Sequence, residues 1–257
     1  MIAGRRFRGA VSFLTRIPTG TGAVSSEEMA TWVPLFPVVG ALVGLSGALA
    51  YVGARELWSP PLAAALAVLT EVLITGGFHE DGLADTADAI GGATDAADAR
   101  RILKDPRLGT FGVLAVVLAL VLRTGAIASL GNWPAMAALP AGHALSRAAA
   151  TSVLGFGRIA TEDGLAASYA RSVDRSAPLA SLTVGLLIAA VAIGRWVVPA
   201  AAGSTFIAWG MGRAARRSLG GVTGDALGAI QQCVLVIVLL LAAAVETQGW
   251  SPLVWWR

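Results

Sequence analysis

The chain has 257 residues, 56% of them apolar and 14% charged, with a mean hydropathy of +0.71. A soluble domain is about a quarter charged, so this composition excludes a cytosolic or secreted globule and points to a polytopic membrane protein. A single cysteine, Cys233, excludes an intramolecular disulfide and a cysteine-based zinc site, and a formal charge of +3 is too small to argue for nucleic acid.

Residues 1–32 carry Arg5, Arg6, Arg8 and Arg16 but no apolar core of signal-peptide length, which reads as a retained interfacial arm. Apolar runs near the ~20 residues that a spanning helix needs follow at 34–54, 61–77, 111–131, 135–157, 178–195, 197–212 and 229–248. The 197–212 run is short and glycine-rich, so the count is bracketed between six and eight, with seven preferred. With seven spans and the N-terminus inside, the inner segments are 1–32, 78–110, 158–177 and 213–228. These hold 14 of the 19 basic residues, against Arg55, Arg195 and Arg257 outside, a strong positive-inside bias. Thirteen of the 16 acids fall on the same side. The expectation is one all-α integral domain over 1–257 in the inner membrane, with its chemistry facing the cytoplasm. Trp196, Trp250, Trp255 and Trp256, near the outer ends, read as interfacial anchors.

The densest polar segment, within 78–110, opens on Gly76-Gly77-Phe-His79-Glu80-Asp81 and continues through Asp85 and Asp88. Asp81, Asp85 and Asp88 stand at i, i+4 and i+7, on one face of a helix. Two bare carboxylates 4 Å apart repel by about 4 kcal/mol at an effective dielectric of 20. A divalent cation removes that repulsion, and carboxylate oxygens suit Mg²⁺, which also bridges substrate phosphates. Glu71, an acid inside an apolar span, is a further candidate ligand. His79 is a candidate base or a structural histidine. Asp95 and Asp98 follow Thr94, which reads as an N-cap, so those two acids complement a helix dipole.

A basic stretch follows: Arg100-Arg101-Ile-Leu-Lys104-Asp105-Pro106-Arg107, then Gly109-Thr110-Phe-Gly112. Cations beside a carboxylate cluster suit a phosphorylated substrate, with Lys104 and Arg107 the better candidates because a proline and two glycines shape their turn. Arg147, in the fourth span, needs an acidic partner or a polar cavity. Arg123, in the third, is its counterpart and a match in charge for Glu71. The loop Gly220-Gly221-Val-Thr223-Gly224-Asp225 allows close approach to a phosphate but lacks the GxxxxGK[ST] of a Walker A loop.

Taken together, these residues resemble the cobalamin synthase family, adenosylcobinamide-GDP ribazoletransferase. The resemblance runs over nearly the whole chain: Phe13-Leu-Thr-Arg16-Ile-Pro18, Phe36-Pro-Val-Val-Gly40, Thr75 to His79 leading into Asp81-Gly-Leu-Ala-Asp85-Thr-Ala-Asp88, Lys104-Asp105 with Gly109 to Gly112, Leu145-Ser-Arg147, and Gly220 to Asp225. It implies an inner-membrane enzyme that joins adenosylcobinamide-GDP to α-ribazole, or its 5′-phosphate, and releases GMP with Mg²⁺ as cofactor. In that resemblance Asp81, Asp85 and Asp88, with Glu71, hold metal. His79, Lys104 and Arg147 serve the reaction, and Gly76, Gly77, Asp105, Arg107, Thr223 and Asp225 complete substrate binding. Membrane lipid surrounds the chain, nucleic acid is not a partner, and self-association or association with other cobalamin-assembly enzymes stays open. The chain departs from the family pattern at Glu80, where an apolar residue is expected, at Pro106, where Ser is common, and at Gln232, where Glu is expected. The DGxxDxxD pattern is also similar to CDP-alcohol phosphotransferases, although their other elements are absent in that order. A secondary transporter using Glu71, Arg123 and Arg147 is the alternative from another class.

Overall fold

The computed structural model describes residues 2–20, 25–156, 174–250 and 252–255. Residues 158–173 of the expected inner segment 158–177, Trp256 and Arg257 lie outside them. The described residues form helices and no strand: α1 (Ile2–Leu14), α2 (Ser26–Ala30), α3 (Phe36–Ala54), α4 (Pro60–Thr75), α5 (Phe78–Gly92), α6 (Ala96–Ile102), α7 (Thr110–Ala128), α8 (Asn132–Phe156), α9 (Ser176–Ile193), α10 (Val197–Ser218) and α11 (Gly224–Thr247).

Local chemistry sets the boundaries. Prolines stand in the first turns of α3 and α4, where a missing N–H costs nothing. The Thr223 side chain accepts from Ala226 N and starts α11. The cap of α6 is Asp95 and not Thr94: Asp95 Oδ1 accepts from Ala97 N and Asp98 N, both at 2.8 Å. Thr94 N instead donates to Asp98 Oδ2, so the residue before the cap is tied to the first turn as well.

Four stretches are long and apolar enough to cross a membrane: Ser26–Ala54, Thr110–Ala128, Ser176–Ser218 and Gly224–Thr247. The bent pair α4–α5 makes a fifth if it is one broken span. By length and apolarity alone the described residues give four or five such stretches, against seven expected spans. α8 falls short because His143, Ser146 and Arg147 lower its apolarity, and α9 and α10 join through one 3₁₀ turn, Gly194–Trp196, into a single apolar stretch. The outward face of α7 is apolar: Val113, Leu114, Val117, Leu118 and Val121 are all exposed, as lipid-facing residues are.

α8 is the centre of the bundle and packs against α3, α9 and α11. Small residues make this close approach attainable. Gly44 of α3 sits against the backbone of Leu139, and Gly185 of α9 against Ala148. At the end of the bundle away from α5 the Tyr51 hydroxyl donates to Leu130 O at 2.8 Å, while Trp196 and Trp250 stack at 5.9 Å.

A methyl group at Gly44 meets backbone, which cannot move aside, whereas Gly125 of α7 has open space around it. Gly44→Ala is therefore expected to lower the melting temperature in detergent. Gly125→Ala raises stability by up to about 1 kcal/mol through helix propensity alone. Equal melting temperatures for the two variants would refute this packing.

Candidate active site

The site is organised by a bend. α4 ends on Gly76 (φ 69°) and α5 starts from Gly77 (φ 72°), two consecutive left-handed residues that only glycine adopts cheaply. The two helix axes meet at 91°, so α5 leaves the direction of α4 and lies across the end of the bundle. Arg16 N donates to Ile74 O at 2.7 Å and ties the N-terminal arm to the same bend. Gly76 and Gly77, expected to touch substrate, thus act as the hinge that aims α5.

α5 packs on α7 and α11. A Cβ on Gly82 would stand 2.8 Å from Asp225 O, and one on Gly228 3.4 Å from the His79 backbone. Two glycines therefore let α5 and the start of α11 meet backbone to backbone. This contact brings Asp225, 143 or so positions later in the chain, beside Asp81 and Asp85. Burial, followed by the charges of Asp81, Asp225 and Asp88, pushes the Asp85 carboxyl up to about 6.

The predicted three-carboxylate face divides. Asp81 is exposed and Asp85 half-buried. Asp88 is buried, and both its oxygens are committed: Oδ2 accepts from Gly109 N at 2.7 Å and Oδ1 from Gly112 N at 2.8 Å. A side chain at Gly109 or Gly112 would strike this carboxylate, which explains the glycines of the Gly109–Gly112 stretch. Asp88 caps the first turn of α7 from a distance and fixes the loop that carries Lys104. Asp105 and Arg107, expected to bind substrate, pair with each other at the surface (Arg107 Nη2 to Asp105 Oδ2, 2.6 Å). Hydrogen bonds from Arg107 hold the Asp105 carboxyl down at about 2.

Glu71 lies apart from the aspartates. It is buried in α4, where Arg123 Nη2 of α7 donates to its Oε2 at 2.6 Å. Arg123 Nη1 donates to Glu80 Oε1 of α5 at 2.9 Å and to Gln232 Oε1 of α11 at 3.0 Å. Gln232 Nε2 also donates to Glu80 Oε1, at 2.9 Å. Glu80 and Gln232, two residues singled out in the sequence, therefore meet on one guanidinium. His143 Nε2 of α8 stands 3.0 Å from Glu71 Oε1, at ion-pair distance but out of line for a hydrogen bond. Its Nδ1 lies 2.7 Å from Arg147 Nη1. Arg147 has no carboxylate partner among the described residues: Nη1 reaches His143 and Ser146, and Nη2 makes no hydrogen bond there.

What Arg147 faces instead is a cavity of about 770 Å³ beneath α5. Its apolar side comes from Phe13 and Leu14 of the arm, Phe36, Leu154 and Leu227. The polar side comes from His79, Lys104, Arg147, Thr223, Asp225 and Gln231. Arg147 and Gln231 are 2% and 1% exposed and mark the inner end, while half-buried Thr223 and Asp225 and exposed Lys104 mark the mouth. Sequence reasoning brought His79, Lys104, Arg147, Thr223 and Asp225 to this site without knowing that they converge. It missed Phe13, Phe36 and Gln231. Only Gln231, an amide within an apolar run, carries a local signal of its own.

Apolar helices in a bundle, with acids and cations gathered around one cavity at one end, define a helical membrane-integral enzyme. The chain belongs to the cobalamin-5-phosphate synthase family, whose profile matches residues 6–243, and it is a transferase of cobalamin biosynthesis. It is 40% identical over 247 residues to the adenosylcobinamide-GDP ribazoletransferase of Bradyrhizobium diazoefficiens, covering 93% of both chains. It is 40% identical to the protein of the same name from Ralstonia nicotianae (91% of this chain, 93% of the relative) and 37% identical to that from Klebsiella pneumoniae (88% and 94%). No solved structure matches the chain.

Asp85 and Asp88, three residues apart, are expected to respond in opposite directions. Asp85→Asn removes repulsion and raises the melting temperature of the metal-free protein. Asp88→Asn sets an amide donor against a backbone donor and lowers stability by about 1–3 kcal/mol. Thermal melts in EDTA test both, and shifts of the same sign would refute the division of roles.

Proposed function

We propose that the protein joins adenosylcobinamide-GDP to α-ribazole or its 5′-phosphate, forming cobalamin or its phosphate and releasing GMP, at the cytoplasmic face of the inner membrane. The observation that carries this reading is the contact of α5 with α11, which sets the Asp81–Asp85–Asp225 group beside a cavity holding Lys104 and Arg147. The names of the relatives agree with it.

The donor set suits Mg²⁺ chemically, since three carboxylates gather without a cation among them. Among the described residues no three acidic, histidine or cysteine side chains converge closely enough to hold a metal by themselves, so substrate oxygens would complete the shell. Asp81, Asp85 and Asp225 would hold Mg²⁺, which when bound neutralises charge on the diphosphate. Asp88 and Glu71 do not join them: backbone amides occupy both Asp88 oxygens, and Glu71 is held in α4 by Arg123, apart from the aspartates. Lys104 binds phosphate oxygens at the mouth, and Arg147 supplies positive charge within. The acceptor hydroxyl attacks the phosphorus that bears the cobinamide alcohol. A P–O bond forms to the acceptor, the P–O–P bond breaks, and GMP leaves with the electron pair. His79, in the cavity wall and on the same helix as Asp81 and Asp85, takes the hydroxyl proton.

We further propose seven spans with the N-terminus inside. Ser176–Ser218 is 43 residues, about 65 Å of helix against a hydrocarbon core of about 30 Å. Both α9 and α10 pack on α8, and Gly194 (φ 53°) breaks the helix between them, which supports a hairpin of two spans. The bias of basic residues then sets the orientation.

GMP release in detergent, with both substrates and no gradient, is the direct test. Turnover is expected to need Mg²⁺ and to fall on the order of 10²-fold in Asp85→Asn. A CMP product, full activity in EDTA, or transport without turnover would overturn the reading. Because the Asp85 carboxyl sits at about 6, protons compete with metal below that pH. The Mg²⁺ concentration for half-maximal rate should rise by up to about tenfold per pH unit below 6 and be flat above 7. A flat response throughout would remove Asp85 from the metal site.

A further inference from the structure

We infer that the cavity is the seat of the ribazole-type acceptor, with its flat base at the inner end and its ribosyl end at the mouth, and that the corrinoid stays outside. This assignment rests on the transfer reading above.

Size separates the two substrates. A volume of about 770 Å³ lies within the 300–1,000 Å³ usual for small-ligand sites and holds a nucleotide. A corrinoid macrocycle with its amide side chains and a guanine nucleotide does not fit there.

Chemistry then separates the bases. Phe13, Leu14, Phe36, Leu154 and Leu227 offer apolar surface to the cavity. Phe13 and Phe36 lie parallel at 5.5 Å, with Phe78 edge-on to Phe13 at 6.0 Å. Such walls suit a heterocycle with few hydrogen-bonding groups and leave the polar edge of guanine unmet.

The polar ends set the orientation. At the inner end Arg147 Nε and Gln231 Oε1 make no hydrogen bond among the described residues, although both side chains are almost wholly buried. Unpartnered polar groups facing a cavity point to a ligand that supplies the missing bonds, and a ring nitrogen satisfies the guanidinium N–H. A phosphate there would bring about two negative charges against one cation between apolar walls. The mouth suits it better, with Arg100, Lys104 and the first-turn amides of α11 after the Thr223 cap. Base inward leaves the ribose hydroxyls at the mouth, beside Asp225 and the acidic cluster where attack takes place.

The test uses the full chain in detergent, with α-ribazole and its 5′-phosphate as probes and no corrinoid present. Wild type binds both. Phe13→Ala and Leu154→Trp each weaken binding of both probes by about tenfold or more, while the KM for adenosylcobinamide-GDP stays within about twofold. Phe13→Leu, a milder change on the arm, gives a smaller shift in the same direction, so a poorly folding Leu154→Trp does not end the test. Lys104→Ala weakens only the phosphorylated probe, and Arg147→Lys weakens both alike. Unchanged binding in the Phe13 variants, or a rise in corrinoid KM instead, overturns the assignment. A loss in Arg147→Lys confined to the phosphorylated probe puts the phosphate at the inner end and overturns the orientation. Wild type that releases no GMP from the two substrates refutes the transfer reading itself, a distinct outcome.

Discussion

The buried guanidinium of Arg123 is the interaction on which the site depends. It belongs to α7 and is 1% exposed, and it binds Glu71 of α4, Glu80 of α5 and Gln232 of α11. Desolvating these groups is costly, and removing one partner from such a cluster typically costs about 3–5 kcal/mol. That asymmetry gives the cluster its structural role. α5 stays bent across the bundle because leaving that position would strand Arg123 and Glu71 together with one acceptor fewer. The same bend presents Asp81 and Asp85 to Asp225 and roofs the cavity.

The cluster also gives Glu80 and Gln232 a common role. The acid at position 80 and the amide at 232 both reach Arg123's Nη1, and the negative charge there is carried by α5. Arg147, nearer the cavity, has no such acid bonded to it among the described residues and reaches His143 and Ser146 instead. A cation paired with neutral groups stays available to a ligand, whereas Arg123 is neutralised and stays structural. The two intramembrane arginines, indistinguishable by residue type, are separated by their partners.

Glycine carries the second constraint. Gly76 and Gly77 turn the chain, and Gly82 and Gly228 let two helices touch. Gly109 and Gly112 leave room for one carboxylate to cap a helix that starts 22 residues later in the chain. In each case a missing Cβ allows a backbone approach that turns separate polar motifs into one site. The acids are consequently unequal: Asp85 is repelled by its neighbours, while both oxygens of Asp88 are taken by two backbone amides.

Much of this was legible in the residues. Scarcity of charge announced the membrane, and the apolar runs located seven long helices to within a few residues. The spacing of aspartates marked the polar centre, because carboxylates cannot gather without a reason. Local pattern also misread two features. The cap of α6 is Asp95 and not Thr94, since either can accept at that position and the turn alone selects between them. Asp88 shares a helical face with Asp81 and Asp85, but periodicity is blind to the Gly109–Gly112 amides that reach it from another segment. The wall of Phe13 and Phe36, the ion cluster of Arg123 and the meeting of Asp85 with Asp225 were not readable, because each joins residues far apart in the chain. By itself the sequence determined the solvent this protein lives in, its helices and the chemistry it carries, since these follow from composition and short-range pattern. The tertiary structure decided which charges are satisfied and which stay open, because that depends on partners brought together only by packing.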